Sequence, residues 1–210
     1  MAETGGLQVD RVFLAKSRPK FLPEMLEAPK LRILGFSIIC YSPRGTPKPE
    51  ENPVVIISVM TNTGDKRQFI AETSDRDDKI INEFVSYVRK FDPDIIVGYE
   101  TNRNELPYLI ARAKKNGITL GIDRANTEPH RSVYGHISVT GRANIDLFDF
   151  ADEFPEVKVK TLENIADYLG IMKIEERTLI EDVDFTQCWE SPNKRQNLSL
   201  IHISEPTRRS

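Results

Sequence analysis

A single apolar strand raises the first chemical question about this chain. Residues 33–42 read ILGFSIICYS, with the hydroxyl of Ser37 in the middle and Ile39 two residues further on. Side chains two residues apart on a strand point to the same face, so Ser37 and Ile39 face the same side of the predicted sheet. Ser37 has only a neutral hydroxyl and Ile39 has no donor atom, so the strand as it stands supplies no anion.

Other reactive side chains lack the spacing that chemistry requires. The histidines at 130, 136 and 202 have no metal-ligand spacing with another histidine or a cysteine, so we expect structural or exposed roles for them. The sequence contains no glycine-rich phosphate loop and no GxSxG nucleophile elbow. Cys188 lies next to Trp189 and has no evident base partner. Phosphate-loop and esterase-type chemistry therefore has no support in the sequence.

The composition is ordinary for a soluble globular protein. The 210 residues include 29 basic and 32 acidic side chains, for a net charge of -3, so any contact with nucleic acid would need a local basic patch. The cysteines, Cys40 and Cys188, suggest no disulfide framework and favour a reducing compartment. No apolar run has membrane-spanning length and no signal peptide is evident, so we expect a cytoplasmic protein without membrane contact.

The spacing of apolar residues in the first half predicts strands followed by a helix. Residues 31–41, residues 54–61 (VVIISVMT) and the segment KRQFIAE read as an antiparallel meander of three strands. From Asp75 to Phe91 the spacing of apolar residues changes to that of a helix, which predicts a helix with one buried stripe over this segment. Ser74 is its expected N-cap, with Asp77 in the capping-box position.

The second half alternates strand and helix. Ile95–Val97 is predicted as a buried strand and ELPYLIARAKKNG as a helix that Gly117 ends. Residues 136–148 fit a hairpin or an edge strand with a bend at Gly141, and Thr161 is expected to cap a third helix, TLENIADYLG. Three strands followed by helix, strand and helix predict an α/β mixed sheet flanked by helices.

Four segments of the chain occur in an informative order. They are LRILGFSIIC, PDIIVGYETNRNELPYL, GRANIDLF and KVKTLENIADYLGI. Their order and spacing resemble the 3′→5′ exonuclease domain of family B DNA polymerases, the archaeal ones most closely, over residues 31–198. The resemblance implies an RNase H-like (DnaQ-like) fold that hydrolyses the last phosphodiester of a DNA strand with two Mg²⁺ or Mn²⁺ ions bound to carboxylates.

The resemblance also implies that most of the metal ligands are missing. The first motif of the family is Asp-x-Glu on the opening strand, and Ser37 and Ile39 occupy those positions. The second motif ends in an aromatic residue and an aspartate, which match Asn104 and Glu105. The third motif, Tyr-x-x-x-Asp, is expected just beyond residue 198 and is not found. Glu105 is then the one retained metal-ligand candidate, and the pattern resembles the exonuclease-disrupted branch of the archaeal enzymes.

Further positions depart from the family pattern without involving the metal ligands. Glu100 stands where an asparagine usually follows the tyrosine of the second motif. Asn144 replaces the histidine of a GR-x-H-x-DLY segment, in which Asp146 persists and is expected to be structural.

Three functions are compatible with the sequence. The first is a degenerate exonuclease domain that needs no cofactor and guides single-stranded or primer-template DNA without cutting it, together with the remainder of a polymerase chain. Its candidate DNA contacts are Arg103, Asn104, Lys114, Lys115, Lys158 and Lys160. The second is an active metal-dependent exonuclease in which Glu105, Asp146, Asp149 and Asp152 regroup around an ion. The third is an interaction module that does not contact DNA.

The expected domain organisation has three parts. Residues 1–30 form an N-terminal connector, and residues 31–198 form the exonuclease-like domain, truncated at its C-terminal end. Residues 199–210 form a tail. Its segment LIHISEPTRRS, which begins at Leu200, resembles the translation of a sequencing adaptor, and the alternative is a genuine polar tail. The chain contains no polymerase motifs, so we expect it not to polymerise DNA by itself.

Overall fold

The computed structural model describes residues 14–20, 22–24, 27, 29–173 and 182–191. The strands are β1 (Ile33–Cys40), β2 (Val54–Thr61), β3 (Lys66–Ile70), β4 (Ile95–Gly98), β5 (His130–Arg131), β6 (Ile137–Ser138) and β7 (Ala143–Asp146). The helices are α1 (Asp78–Phe91), α2 (Leu106–Lys115), α3 (Leu162–Tyr168) and α4 (Asp182–Glu190), with a π-helical turn at Thr101–Glu105 and a 3-10 helix at Leu147–Glu153. Among these described helices, none combines the length and the apolar character that a bilayer span would need.

Five strands form one mixed sheet in the order β3-β2-β1-β4-β7. The predicted meander is confirmed, because β1 pairs with β2 and β2 with β3 in antiparallel register. β4 pairs in parallel with β1, and β7 extends the sheet in parallel with β4, beyond the bend that Gly141 makes with a φ of 79°. The mixed sheet with helices around it confirms the predicted α/β fold.

One face of the sheet packs against α1. The ring of Phe84 contacts those of Phe36 on β1 and Phe69 on β3, at centroid distances of 5.5 and 6.4 Å. Each large apolar side chain buried in this way contributes about 1.5–3 kcal/mol to stability. The buried stripe of α1 is the one that the spacing predicts: Ile80, Ile81, Phe84, Val85 and Val88.

Ser37 belongs to the opposite face of the sheet. The strand register places it beside Ser58 of β2, and Ser58 lies beside Gln68 of β3. The amide nitrogen of Gln68 donates to the hydroxyl oxygen of Ser58 at 3.2 Å. Ser37 therefore stands at one end of a row of neutral polar side chains that crosses three strands.

The predicted N-terminus of α1 is wrong. The helix begins at Asp78 rather than directly after Ser74, and Asp77 makes no side-chain capping bond. Asp77 is instead fully buried, and its carboxylate accepts bonds from Arg112 at 2.7 and 2.8 Å and from the backbone amide of Val54 at 2.9 Å. The aspartate joins α1, β2 and α2, a role that the local sequence around it does not reveal.

Arginines connect the starts of the parallel strands. Arg124 and Arg142 both donate to Asp92, at 2.9 and 2.7 Å, and Arg32 contacts the other oxygen of the same carboxylate at 2.7 Å. A hydrogen bond from Arg124 also holds the pKa of the Asp94 carboxyl below its ordinary value. Strands β1, β4 and β7 are thereby fixed relative to one another at the end of the sheet where they begin.

Candidate functional site

The structure places Glu105 against the strand that carries Ser37 and Ile39. Its Oε1 atom accepts a hydrogen bond from the backbone amide of Ile38 at 3.1 Å, and the residue is only 6% exposed. The strand pairing between β1 and β4 covers only residues 33–35 of β1. The amide of Ile38 lies beyond this pairing and therefore has no partner on β4. The carboxylate satisfies a strand amide that would otherwise be buried without a partner.

This arrangement lacks the donors that a pair of divalent ions requires. Ser37 is 8% exposed, and Ile39 packs against the hydrophobic core. Mg²⁺ and Mn²⁺ bind oxygen ligands, mainly carboxylates, and Ile39 offers none. In the described residues, no group of three histidine, cysteine, aspartate or glutamate side chains is placed to hold a metal ion. The residues present do not fit the two-ion centre that the resemblance implies.

A buried polar network holds the π-helical turn between β4 and α2. The backbone amide of Asn102 donates to Asp146 at 2.9 Å, and the side-chain oxygen of Asn102 accepts from Asn144 at 2.8 Å and from the amide of Ile137 at 3.0 Å. Asp146 also accepts from the amide of Phe148 at 3.1 Å, which agrees with the structural role expected for it. Sequence reasoning missed Asn102, because only its three-dimensional neighbours distinguish it from other polar loop residues.

The four carboxylates of the alternative metal site are not brought together. Glu105 accepts a hydrogen bond from the amide of Ile38 on β1. Asp146 instead accepts hydrogen bonds from the amides of Asn102, in the π-helical turn, and Phe148, in the 3-10 helix. Asp149 and Asp152 lie on the 3-10 helix and are exposed. This geometry gives no support to a rearranged single-ion cage.

Glu100 is the strained residue at the start of the turn. It adopts φ 57° and ψ 21°, a left-handed conformation that costs on the order of 1 kcal/mol for a residue other than glycine.

Asparagine tolerates this conformation, so Glu100→Asn should raise the free energy of unfolding by about 0.5–1 kcal/mol, measured by urea denaturation. The same change at Glu83, inside α1, should lower it by about 0.3 kcal/mol. A loss of stability in Glu100→Asn would show that the bond from Asn104 to Glu100, at 3.1 Å, outweighs the backbone strain.

Arg103 stacks on an aromatic cluster that also contacts the backbone of Lys160. The guanidinium of Arg103 lies 4.5 Å from the ring centroid of Phe148, and Tyr99 contacts the same ring edge-on at 5.6 Å. The hydroxyl of Tyr99 donates to the backbone carbonyl of Lys160 at 2.6 Å. Arg103 is exposed, so its stacked guanidinium is available to solvent or to a ligand.

The two lysines of the KVK segment have different environments. The ammonium of Lys160 donates to the backbone carbonyls of Ala151 and Phe154, at 2.6 and 2.5 Å, and so holds the end of the 3-10 helix. Lys158 is exposed. Of this predicted pair, the geometry leaves Lys158 as the candidate contact for a phosphate group.

The remaining predicted DNA contacts are separated from this cluster. Asn104 donates to Glu100 within the π-helical turn. Lys114 and Lys115 are exposed at the far end of α2, about 15 Å from Glu105 by the rise of an α-helix, and Lys115 donates to the carbonyl of Glu50. The structure therefore does not bring the six predicted residues into one patch.

Comparison with known proteins decides the family. The protein-family model with the description "DNA polymerase family B, exonuclease domain" matches residues 12–165, which is more than half of the chain. The chain belongs to this family. The predicted resemblance is confirmed, and the mixed sheet is that of a family B exonuclease domain.

Archaeal polymerases are among the relatives that match this family B exonuclease domain. DNA polymerase 2 of Aeropyrum pernix is 47% identical over 169 residues, which cover 80% of this chain and 21% of the relative. The DNA polymerase of Archaeoglobus fulgidus is 39% identical over 180 residues, which cover 85% of this chain and 22% of the relative. The solved structure of the family B DNA polymerase from Pyrobaculum calidifontis matches with a TM-score of 0.78 and 48% identity, over 81% of this chain and 22% of that one. The chain thus spans about a fifth of the length of these polymerases.

Proposed function

We propose that this exonuclease domain binds or guides single-stranded or primer-template DNA without cleaving it, as part of a family B DNA polymerase. The observation that carries the proposal is the hydrogen bond from the backbone amide of Ile38 to the carboxylate of Glu105. The residues on either side of Ile38 have no acidic side chain. The Oε1 atom of this carboxylate is engaged with the strand, and one carboxylate does not replace the two ligands that are missing at Ser37 and Ile39.

The size of the electrostatic effect supports a loss of cleavage. Removing one group from a preorganised site that stabilises developing charge costs about 10²–10³ in rate. Two such groups are replaced here by a hydroxyl and an alkyl side chain, at Ser37 and Ile39. Hydrolysis that depends on paired Mg²⁺ or Mn²⁺ ions is therefore expected to fall below detection.

Contact with DNA is supported by the exposed cations near the π-helical turn. Arg103 is held over Phe148 by a cation–π contact, which limits the entropy that it loses when it binds a phosphate group or a base. Lys158 is exposed on the segment that precedes Lys160. Arg103 lies on the turn that follows Tyr99, and the hydroxyl of Tyr99 donates to the backbone carbonyl of Lys160, two residues beyond Lys158.

Binding to a fluorescein-labelled oligothymidylate tests this function. The wild-type chain should bind at low salt, and Arg103→Ala should weaken binding by about tenfold and reduce the slope of log K against log salt by about 1. Lys114→Ala removes a cation from the far end of α2 and should leave the affinity near that of the wild type. Fluorescence anisotropy at several salt concentrations measures both quantities.

The same oligonucleotide distinguishes the competing functions. We expect no shortening of it in Mg²⁺ or Mn²⁺ over hours. Cleavage that Glu105→Gln abolishes would establish an active exonuclease and overturn the proposal. Absence of binding at micromolar protein and low salt would favour an interaction module that does not contact DNA.

A further inference from the structure

Asn116 and Gly117 form the single asparagine–glycine pair in the sequence. An asparagine side chain can be attacked by the backbone nitrogen of the next residue, and glycine obstructs that attack least because it has no side chain. Asn116 directly follows α2, and Gly117 is exposed, with a φ of 68°. The pair therefore provides an intrinsic site for deamidation at the end of α2 that lies away from Glu105.

The side-chain amide of Asn116 is held by the buried carboxylate of Asp77. Its Nδ2 atom donates to Oδ1 of Asp77 at 2.6 Å, and Arg112 donates to the same oxygen at 2.8 Å. An ionised carboxylate only accepts hydrogen bonds, so the nitrogen of the Asn116 amide must face Asp77. The nitrogen that would leave during deamidation is thus fixed in the interior of the fold, at the junction of α1 and α2.

The backbone at this pair is also closed to the reaction. The amide of Gly117 donates to the carbonyl of Lys114 at 3.1 Å, and the amide of Ile118 donates to that of Ala113 at 2.8 Å. Ring closure requires the Gly117 nitrogen to turn toward the β-carbon of Asn116, whereas the ψ of Asn116 is 2°, which rotates that nitrogen away from it. The reaction therefore needs a local opening of this helix end.

We propose that Asn116 is a site of spontaneous deamidation, which the contact with Asp77 suppresses and which opening of the end of α2 permits. In the open chain, the Gly117 nitrogen loses its proton to hydroxide and attacks Cγ of Asn116. A bond forms between that nitrogen and Cγ, and the bond from Cγ to Nδ2 breaks, with Nδ2 taking a proton from water and leaving as ammonia. Water then opens the succinimide at either carbonyl and leaves aspartate or isoaspartate.

The product does not fit the native contact. An aspartate at position 116 places a second carboxylate where the Asn116 amide now donates to Asp77, and like charges so close disfavour ionisation of both. Isoaspartate instead lengthens the backbone between α2 and Ile118. Either product weakens the junction at Asp77, so an opening that ends in deamidation is not reversed. The proposal concerns the stability of the domain and is independent of DNA binding.

Peptide mapping by mass spectrometry at mildly alkaline pH tests the site on the complete chain. In guanidinium chloride, Asn116 should be converted ahead of the other asparagines, and Gly117→Ala should slow that conversion about tenfold because the added methyl group obstructs the attack. The second comparison does not require this variant to fold. In the folded wild-type chain, conversion of Asn116 should be slower than in the unfolded chain by at least about tenfold.

Asp77→Ala tests the contact itself. It removes the acceptor of the Asn116 amide and should accelerate conversion in the folded chain by about tenfold or more. Phe84→Ala is the control, because it destabilises the packing of α1 by leaving a cavity and does not remove this acceptor. Both variants are compared where circular dichroism reports a folded chain. Equal rates in Asp77→Ala and Phe84→Ala would overturn suppression by Asp77.

Asn116→Asp supplies the product directly and keeps the proposal testable if Asp77→Ala does not fold. Its midpoint in urea should lie below that of Asn116→Ala, which loses the same bond without adding a charge. An equal or higher midpoint for Asn116→Asp would overturn the clash between the carboxylates. Equal conversion of Asn116 in folded and unfolded wild-type chain would overturn protection by the fold, and no conversion in the unfolded chain would overturn the site itself.

Discussion

Replacing Asp77 by alanine should lower the free energy of unfolding by about 3–5 kcal/mol. The carboxylate is fully buried and accepts bonds from the side chains of Arg112 and Asn116 and from the amide of Val54. Without it, Arg112, which is 2% exposed, becomes an uncompensated buried charge, and a β2 amide loses its acceptor. Urea denaturation followed by the fluorescence of Trp189, the single tryptophan of the chain, measures the change.

Two further variants separate the ion pair from other effects at Asp77. Asp75→Ala changes an exposed aspartate in the same connection and should alter stability by less than about 0.5 kcal/mol. The double variant Asp77→Leu with Arg112→Met removes both charges and should be more stable than either single variant, because no buried charge remains unpaired. A loss of under about 1 kcal/mol in Asp77→Ala would contradict the buried ion pair.

Introducing Ser37→Asp and Ile39→Glu together should make the stability of the fold depend on Mn²⁺. Without metal, the new carboxylates join Glu105 on either side of the Ile38 amide, and repulsion between buried like charges should cost several kcal/mol. Mn²⁺ at about one hundred times its dissociation constant should restore about 2.7 kcal/mol. Thermal unfolding with and without MnCl₂ measures this, and the wild-type chain should show no shift.

A carboxylate elsewhere on the same sheet face provides the control. Met60 pairs with Gly35 on that face and is 46% exposed, so Met60→Glu should leave the melting temperature independent of Mn²⁺. Metal-independent unfolding of the double variant would mean that positions 37, 39 and 105 do not converge. We expect little nuclease activity from the double variant, because the ligand of the third motif is still missing.

The elements that follow from periodicity were predictable from the sequence. A buried α1 stripe needs only the spacing of apolar residues, and the cap of α3 needs only Thr161, whose hydroxyl accepts from the amide of Asn164 at 3.2 Å. Asp77 was misassigned because the sequence shows a nearby helix start and does not show Arg112, which is 35 residues further along the chain.

Side-chain direction limited the prediction of the site. Lys158 and Lys160 form one basic segment in the sequence, yet the ammonium of Lys160 is bound to two backbone carbonyls and Lys158 is exposed. Glu105 could be identified as a retained acid by its resemblance to a motif residue. Its bond to the amide of Ile38 depends on where β4 ends relative to β1, which no local pattern encodes.

The bond between Glu105 and β1 has a consequence for how such domains are classified. An acidic residue at this position contributes to the fold through its bond to the amide of Ile38, whether or not the domain hydrolyses DNA. Counting surviving acids across homologous genes would then overestimate how many of their products proofread. Positions 37 and 39, at which this chain carries no carboxylate, are therefore more informative about metal binding than position 105.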